Sequence, residues 1–567
     1  MGIQSENSNQ TAKPRKVSIG IQDFGDLIRK NCFYVDKTDF IREWWESNDS
    51  VTLITRPRRF GKTLNISMLE YFFSNKYSGQ GELFEGLSIW EDEEYRKLQG
   101  TYPVISLSFA NVKENTFQKT IERIYQILTD LYNKHIFLLD SGLLTEEEKR
   151  YFLSVGRGMD ETTATIAIHH LTDFMSRYYG KKVIILLDEY DTPMQEAYVN
   201  GFWDELVVFT RSMLNSTFKT NPYMERALMT GITRVSKESI FSDLNNLEVV
   251  TTTSEKYATA FGFTEEEVFA AMDEMGLTEK KEVKRWYDGF VFGSVSDIYN
   301  PWSIINYLDK GRFGTYWANT SANGLVGKLI REGSSKVKET FESLLAGEII
   351  TTTLDEQIVY NQLGQKENAI WSLLLASGYL KVIKADVKEE RYELGLTNYE
   401  VKRMFQNMVS GWFDVSEGSY NDFIKALLLG DLDAMNEYMN RVSLSVFSSF
   451  DTGNRPSGAE PERFYNVFVL GLIVDLRNRY VITSNRESGF GRYDVMLEPK
   501  DKADDAFILE FKVFNRRREQ TLEDTVAAAL AQIEEKNYAA ALMEKGIPET
   551  KIRKYGFAFE GKNVLIG

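Results

Sequence analysis

Residues 51–63, which read VTLITRPRRFGKT, constrain the fold of this chain more than any other stretch. The short apolar run at the start predicts a buried strand, and the amphipathic stretch that begins at Lys62 predicts a helix. Gly61 and Thr63 flank that lysine where the loop turns into the helix. Because backbone N–H groups and the positive end of the helix dipole converge there, the segment favours binding of a polyphosphate.

This loop predicts a nucleotide site with Mg²⁺. The Lys62 ammonium is expected to reach the β- and γ-phosphates, and the Thr63 hydroxyl to bind the metal. The pattern G-x-x-x-x-G-K-[ST] is not met at its first position, where the chain has Arg56, and a chance Gly-Lys-Thr tripeptide is the alternative. The other loop residues assigned to the nucleotide are Arg58, Arg59 and Gly61.

A second strand, within KVIILLDEYD at residues 182–191, ends in two acidic residues. We expect Asp188 to share the Mg²⁺ with Thr63, and Glu189 to be the general base for the attacking water. The alternative is that the strand ends in acidic residues only because it reaches solvent there. Its position downstream of the loop, in the same pattern of parallel strands, favours the nucleotide site.

A third strand at residues 227–229 runs into TGITR, and parallel strands end at a common edge of the sheet. The polar residues expected to sense a γ-phosphate at that edge are Thr230, Thr233 and Arg234. No arginine is marked by its pattern as a catalytic finger. Two candidates, each equally well explained as a solvated charge, are Arg211 and Arg226.

These motifs together resemble the AAA-ATPase-like family of prokaryotic P-loop proteins. The resemblance rests on RPRRFGKT, LLDEYD and TGITRVSKESIFSDLNN, with support from IGIQDFGDLIRKNCFYVDKTDFI, WYDGFVFG and IYNPWSI, and it spans residues 17–304. The loop of that family characteristically reads R-P-R-R-x-G-K-T, so Arg56 resembles a family trait. The resemblance implies ATP as the nucleotide.

Residues 491–512, GRYDVMLEPKDKADDAFILEFK, predict two strands joined by a polar turn. Strand alternation places Glu510 and Lys512 on one face, and a hairpin would bring Asp494 beside them. Such a trio suits phosphodiester hydrolysis, with both carboxylates as Mg²⁺ ligands and the lysine orienting the water. An exposed hairpin with alternating charges is the alternative reading.

The helix-strand-strand-helix order around this trio resembles the PD-(D/E)XK nuclease superfamily over residues 460–567, with SNRESGFGRYD leading into the first strand. Tyr493 stands where the name of the superfamily has proline. By resemblance, Glu462 and Gln532 are auxiliary residues. The candidate phosphate contacts, for which a solvated surface is an equal alternative, are Arg486, Arg492 and the run Arg516-Arg517-Arg518.

The expected fold class is α/β: a P-loop NTPase parallel sheet, a helical middle region and a C-terminal α/β restriction-endonuclease-like domain. The length of 567 residues leaves room for several domains. The linker-like run DTGNRPSGAEPE sets the last boundary. The predicted divisions are a tail at 1–15, the P-loop domain at 16–249, a helical lid and middle region at 250–450 and the nuclease-like domain at 451–567.

Composition excludes several classes of protein. One cysteine and three histidines without metal-ligand spacing argue against a zinc site. The net charge of −16 argues against a histone-like coat, and no apolar run is long enough to span a membrane. We therefore expect a cytoplasmic protein.

The sequence thus predicts an ATP-binding and ATP-hydrolysing protein whose C-terminal domain is a Mg²⁺-dependent nuclease under nucleotide control. The expected partner is nucleic acid, DNA in preference to RNA, and a homo-oligomer is one option. The alternative is a nucleotide-dependent switch or scaffold with a nuclease-like domain that binds without cutting. The presence of Asp494, Glu510 and Lys512 together favours cleavage, since mutation would not be expected to preserve all three in a domain that had lost its activity.

Overall fold

A computed structural model describes most of the chain. The predicted linker at 451–462, including Glu462, and residues 1–14 of the predicted tail lie outside the described residues. The described residues are 15–234, 240–241, 243–318, 324–332, 334–354, 363, 367–386, 389–411, 420–446, 469–470, 472–473, 476, 479–488, 491–560 and 563–567.

The chain divides into two units by its internal contacts. The first unit comprises Met1–Leu325 and Thr351–Val401, and the second comprises Val326–Ile350 and Lys402–Gly567. The residues of the predicted middle region are therefore shared between the two units.

The first unit is built on a five-stranded parallel sheet with the order β2-β3-β4-β1-β5. Every residue of β1 and β3 is buried, as in strands that helices cover on both faces. Because β4 lies between β1 and β3, the carboxyl ends of all three meet at one edge, as predicted. The strands are β1 (Val51–Thr55), β2 (Val104–Ser108), β3 (Val183–Asp188), β4 (Met224–Gly231) and β5 (Leu247–Val250).

Helices precede and connect these strands. The long helix before β3 shows how local sequence sets their ends: the Asp160 side chain accepts a hydrogen bond from the backbone N–H of Thr163, and the helix stops at Gly180 with a φ of +64°. The helices are α1 (Phe24–Arg29), α2 (Asp39–Glu46), α3 (Lys62–Phe73), α4 (Glu93–Leu98), α5 (Phe117–Lys134), α6 (Glu146–Ser154), α7 (Glu161–Tyr179), α8 (Thr192–Asn200) and α9 (Trp203–Phe218).

The middle region is helical, as predicted, and also contains two three-stranded sheets with the orders β6-β8-β7 and β10-β11-β9. Its helices are α10 (Glu265–Glu274), α11 (Lys280–Tyr287), α12 (Pro301–Lys310), α13 (Gly324–Glu332), α14 (Ser335–Ala346), α15 (Glu367–Ala376), α16 (Tyr399–Gly411), α17 (Tyr420–Leu429) and α18 (Leu432–Val446). Its strands are β6 (Phe263–Thr264), β7 (Phe290–Phe292), β8 (Val295–Tyr299), β9 (Ile350–Thr353), β10 (Leu380–Asp386) and β11 (Arg391–Leu396).

The second unit contains a mixed five-stranded sheet with the order β12-β13-β14-β15-β16. β13 and β14 form the antiparallel pair that the sequence predicts. In addition, β14 pairs in parallel with β15, which follows the helical connection. The strands are β12 (Tyr480–Ser488), β13 (Gly491–Pro499), β14 (Ala506–Val513), β15 (Ile552–Glu560) and β16 (Asn563–Ile566). The connecting helices are α19 (Leu522–Glu535) and α20 (Ala540–Glu544).

Two asparagines on α18 cover the outer edge of β16. Asn440 donates to the carbonyl of Val564 at 2.7 Å and accepts from its N–H at 3.0 Å. One helical turn away, Asn436 makes the same pair of bonds to Ile566, at 2.9 and 2.8 Å. The two side chains thus bond the strand edge as a further strand would.

Among the described residues, no helix combines the length and the apolar character that a membrane crossing requires.

Candidate active sites

The phosphate loop leaves β1 and enters α3 through two residues with left-handed backbone. Gly61, which caps α3, has a φ of +81°, and Arg59 has a φ of +66°. A Cβ at Gly61 would meet no atom within 4 Å, so the backbone conformation is what requires glycine there. The loop therefore makes the turn from which α3 starts, and the free N–H groups of such a helix start can bind an anion.

Lys62 lies inside this loop. Its ammonium donates to the carbonyl oxygens of Arg56 and Pro57, both at 3.0 Å, and lies 3.6 Å from a carboxylate oxygen of Glu189. The lysine side chain is only 2% exposed. The positive charge is thus fixed at the mouth of the loop, beside the acid predicted to be the base.

Asp188 ends β3 between two hydroxyl groups. One carboxylate oxygen accepts from Thr63 at 2.8 Å and the other from Thr230 at 2.5 Å. Burial, and next the negative charge of Glu189, raise the pKa of Asp188. A carboxylate beside a hydroxyl is an all-oxygen donor set, which fits Mg²⁺.

Glu189 follows β3 in a left-handed conformation with a φ of +53°. Its backbone N–H donates to the Thr230 hydroxyl at 3.3 Å, and its carboxylate accepts from Thr192 at 3.4 Å. A non-glycine residue in this region costs about 1 to 3 kcal/mol, and such strain clusters at functional sites. The strained turn directs Glu189 toward Lys62.

Thr233 and Arg234 follow the end of β4, as predicted, and Thr233 is bound to Asp191. Both the hydroxyl and the backbone N–H of Thr233 donate to Asp191, each at 2.9 Å. The buried Nε of Arg234 makes no hydrogen bond with the described part of the chain.

Asp191 is a site residue that sequence reasoning missed. It is fully buried and also accepts from the N–H of Ile232 at 3.0 Å and the amide of Gln195 at 3.0 Å. Burial, followed by the charge of Glu189, raises its pKa. A sequence signal for Asp191 was present: it is the last acidic residue of LLDEYD, just beyond the end of β3 and at the N-cap of α8.

The structure explains why Arg56 can replace the first glycine of the loop pattern. Its guanidinium is buried and donates to the carbonyls of Thr251 at 2.6 Å and Thr55 at 3.0 Å, and it stacks on Phe292 at 4.3 Å. Burial lowers its pKa to about 9. Since Arg56 does not have a positive φ, this position does not need glycine, and the side chain anchors the loop to the segment after β5.

The other arginines differ in their surroundings. Arg58 donates to the Gln195 side-chain oxygen at 3.2 Å, and Arg59 stacks on Trp302 at 4.3 Å. Arg226 lies near the amino end of β4, where its guanidinium donates to the carbonyls of Trp44 and Trp45 at 2.8 Å. Arg226 is therefore remote from the carboxyl edge of the sheet.

The second predicted site lies on β13, β14 and α19. Gln532 connects its members: it accepts from the Lys512 ammonium at 2.7 Å and donates to Glu510 and to the hydroxyl of Tyr538, the latter at 3.1 Å. Asp494 accepts from the backbone N–H of Phe511 at 2.8 Å. The structure thus joins Glu510, Lys512 and Gln532 directly and places Asp494 against the same strand.

Tyr538 belongs to this cluster and was not predicted, because a tyrosine just beyond a helix end has no distinguishing sequence pattern.

The carboxylates of Asp494 and Glu510 provide oxygen ligands that fit Mg²⁺. Arg492 lies in β13, and its side chain is outside the described residues. Arg516 forms an ion pair with Glu560 at 2.8 Å.

Comparison with known proteins supports two domain assignments. A family model described as "Predicted AAA-ATPase" matches residues 18–241, and one described as "PD-(D/E)XK nuclease superfamily" matches residues 460–567. The chain is 25% identical over 551 residues, 94% of this chain and 95% of the relative, to an uncharacterized protein in the vnfD 5′ region of Azotobacter chroococcum mcd 1.

A solved structure of the Aeropyrum pernix ORC2 protein, in ADPNP and ADP complexes, covers 70% of this chain and 97% of its own, at 11% identity and a TM-score of 0.23. A TM-score of 0.23 is too low to support a structural assignment. The assignment rests on the two family models, each of which matches the residues around one site. By these matches, the chain has an AAA-ATPase-like domain at 18–241 and a PD-(D/E)XK nuclease superfamily domain at 460–567.

Proposed function

We propose that this protein binds and hydrolyses ATP with Mg²⁺, and that its C-terminal domain cleaves nucleic acid with Mg²⁺ under control of the bound nucleotide. The observation that carries the proposal is the meeting of Lys62, Thr63, Asp188 and Glu189 at one edge of the parallel sheet. These four groups come from two distant sequence segments and have the charges that ATP hydrolysis needs.

In the ATPase site, Thr63 and Asp188 would hold Mg²⁺, which supplies charge neutralisation for the phosphate oxygens. Lys62 exchanges its contacts with the loop carbonyls for the β- and γ-phosphates. Glu189 orients the attacking water and accepts its proton. The backbone N–H groups at the start of α3 bind the phosphate oxygens.

In the nuclease-like site, Asp494 and Glu510 would hold Mg²⁺, which supplies Lewis-acid activation of the phosphodiester. Gln532 keeps the Lys512 ammonium and the Glu510 carboxylate in fixed relative positions. Lys512 orients the water that attacks phosphorus. A nucleic acid is the partner that this chemistry requires, and we propose DNA in preference to RNA.

The test uses the purified full chain with plasmid, linear and single-stranded DNA and with RNA, each with and without Mg²⁺ and ATP. We expect Mg²⁺-dependent cleavage that Asp494→Ala abolishes, together with ATP hydrolysis that Lys62→Ala abolishes. Binding of nucleic acid without cleavage would favour a nucleotide-dependent switch. Cleavage that persists in EDTA would contradict the assigned site.

A further inference from the structure

We propose that Arg58 is the catalytic arginine of the ATPase site, acting from the same chain on the γ-phosphate, and that Gln195 holds it in place before the nucleotide binds. The inference rests on the proposed ATPase function and adds a residue role to it. No arginine was marked for this role by the sequence alone.

Arg58 lies on the side of the loop that contacts α8. Its guanidinium contacts Gln195 at 3.2 Å, in the helix that begins at Thr192. The Thr192 hydroxyl contacts the Glu189 carboxylate at 3.4 Å. Arg58 and the general base therefore share one structural support, at the γ-phosphate end of the site where water attacks.

Two hydrogen bonds fix the orientation of the Gln195 amide. Its nitrogen donates to the Asp191 carboxylate at 3.0 Å. A carboxylate can only accept here, so the amide oxygen must face away from Asp191 and toward Arg58. Asp191 in turn binds the backbone N–H groups of Ile232 and Thr233, which fixes its own position.

Arg58 can exchange its partner when a nucleotide binds. Its guanidinium now contacts an uncharged amide oxygen, whereas a γ-phosphate offers negatively charged oxygens in a geometry that the guanidinium can bind bidentately. The Arg58 carbonyl accepts from the Asn300 side chain at 3.2 Å, which holds the loop backbone. The guanidinium can therefore move to the phosphate while the loop keeps its shape.

The chemical step is hydrolysis of ATP to ADP and phosphate. The water oxygen forms a bond to the γ-phosphorus, and the bond from that phosphorus to the β,γ-bridging oxygen breaks with its electron pair remaining on ADP. Glu189 accepts the proton of the water. Arg58 stays protonated throughout and donates to γ-phosphate oxygens, where negative charge is stabilised in the transition state.

The two other arginines of the loop, and the more distant Arg226, have other partners. Arg56 is buried among backbone carbonyls, and Arg59 stacks on Trp302. Arg226 is bound at the far end of β4. Within the described part of the loop, Arg58 is the arginine whose contact lies beside the base.

The test measures ATP turnover and the affinities for ADP and a non-hydrolysable ATP analogue. Arg58→Ala should lower kcat at least 100-fold and leave ADP affinity within threefold, because catalytic arginines contribute about 10³ to 10⁵ in rate. Arg58→Lys should restore only part of the rate. Arg150→Ala, which removes an exposed arginine paired with Glu147, is the matched control and should not change kcat.

The positioning role of Gln195 is tested by a double-mutant cycle. Gln195→Leu removes the contact that Arg58 must give up, so it should tighten the ATP analogue about two- to tenfold relative to ADP. In the Arg58→Ala background the same substitution should not alter that ratio. A purely structural role of Gln195 would change the ratio equally in both backgrounds.

The outcomes separate the two proposals. Wild-type turnover in Arg58→Ala, with turnover lost in Lys62→Ala, would overturn the role of Arg58 and leave the ATPase standing. A wild-type protein that neither binds nor hydrolyses ATP would overturn both. Equal losses of ADP and analogue affinity in Arg58→Ala would reassign Arg58 to general nucleotide binding.

Discussion

Replacing Asn440 with alanine should loosen the edge of the C-terminal sheet at Val564. The substitution removes the two hydrogen bonds that this side chain makes with the backbone of Val564. Val564 is 3% exposed, so water cannot easily take over both groups. The structure therefore assigns α18, which precedes the predicted boundary at residue 451, to the same folding unit as the nuclease-like sheet.

The magnitude follows from the number of bonds. Each hydrogen bond contributes about 1 kcal/mol net, so the loss is about 2 kcal/mol. Alanine favours the helix over asparagine by up to ~0.7 kcal/mol, which offsets part of that loss. The local free energy of opening should then fall by about 1.5 kcal/mol, which is roughly a tenfold change in the opening equilibrium.

Residue-resolved hydrogen exchange measures this change directly. The Val564 amide should exchange about tenfold faster in Asn440→Ala, and Asn436→Ala should do the same for Ile566. Glu437→Ala, at an exposed position of the same helix, is the control and should leave both amides protected. Unchanged protection of Val564 in Asn440→Ala would refute the assignment of α18 to this sheet.

Three further predictions concern the two sites and a buried acid. Glu189→Gln should keep ATP bound and slow hydrolysis at least 100-fold, since it removes the base and leaves Thr63 and Asp188 in place; equal loss of ATP binding in a calorimetric titration would contradict this. Gln532→Leu should lower Mg²⁺-dependent cleavage at least tenfold in a gel assay, whereas the exposed control Glu523→Ala should not. Burial raises the pKa of Glu400 to about 7, above its ordinary value. Between its ordinary pKa and pH 7 the native state therefore binds more protons than the unfolded state, so the free energy of unfolding falls as the pH rises through this range. Glu400→Gln removes the charge that is buried above this pKa, so it should raise the thermal midpoint of unfolding more at pH 8 than at pH 5. An equal rise at the two pH values would refute the raised pKa of Glu400.

The P-loop architecture could be predicted from the sequence because its signals are local. An apolar run followed by Gly61-Lys62-Thr63, and another that ends in Asp188, each specify an element and its polar end. The order of parallel strands then brings those ends together. The same holds for Glu510 and Lys512, whose alternation on one strand fixes their common face.

Other features depend on contacts between distant segments. Gln195 bridges Arg58 and Asp191, and this bridge joins a loop to a helix that lies more than a hundred residues later in the sequence. Some strands of the middle region, such as Phe263–Thr264, are too short for an alternating pattern of apolar and polar residues to be recognised. The anchoring of Arg56 likewise depends on where the segment after β5 packs.

In the proposed ATPase site, Lys62 supplies the charge that holds the phosphates of ATP. This role can be measured by isothermal titration of the wild-type protein and of Lys62→Ala with ATP in the presence of Mg²⁺. The wild type should bind one ATP per chain, and the variant should lose affinity by roughly a hundredfold, the value of a charge-assisted hydrogen bond of ~3 kcal/mol. Equal affinity in the two proteins, or no binding by the wild type, would show that Lys62 does not hold ATP in this loop.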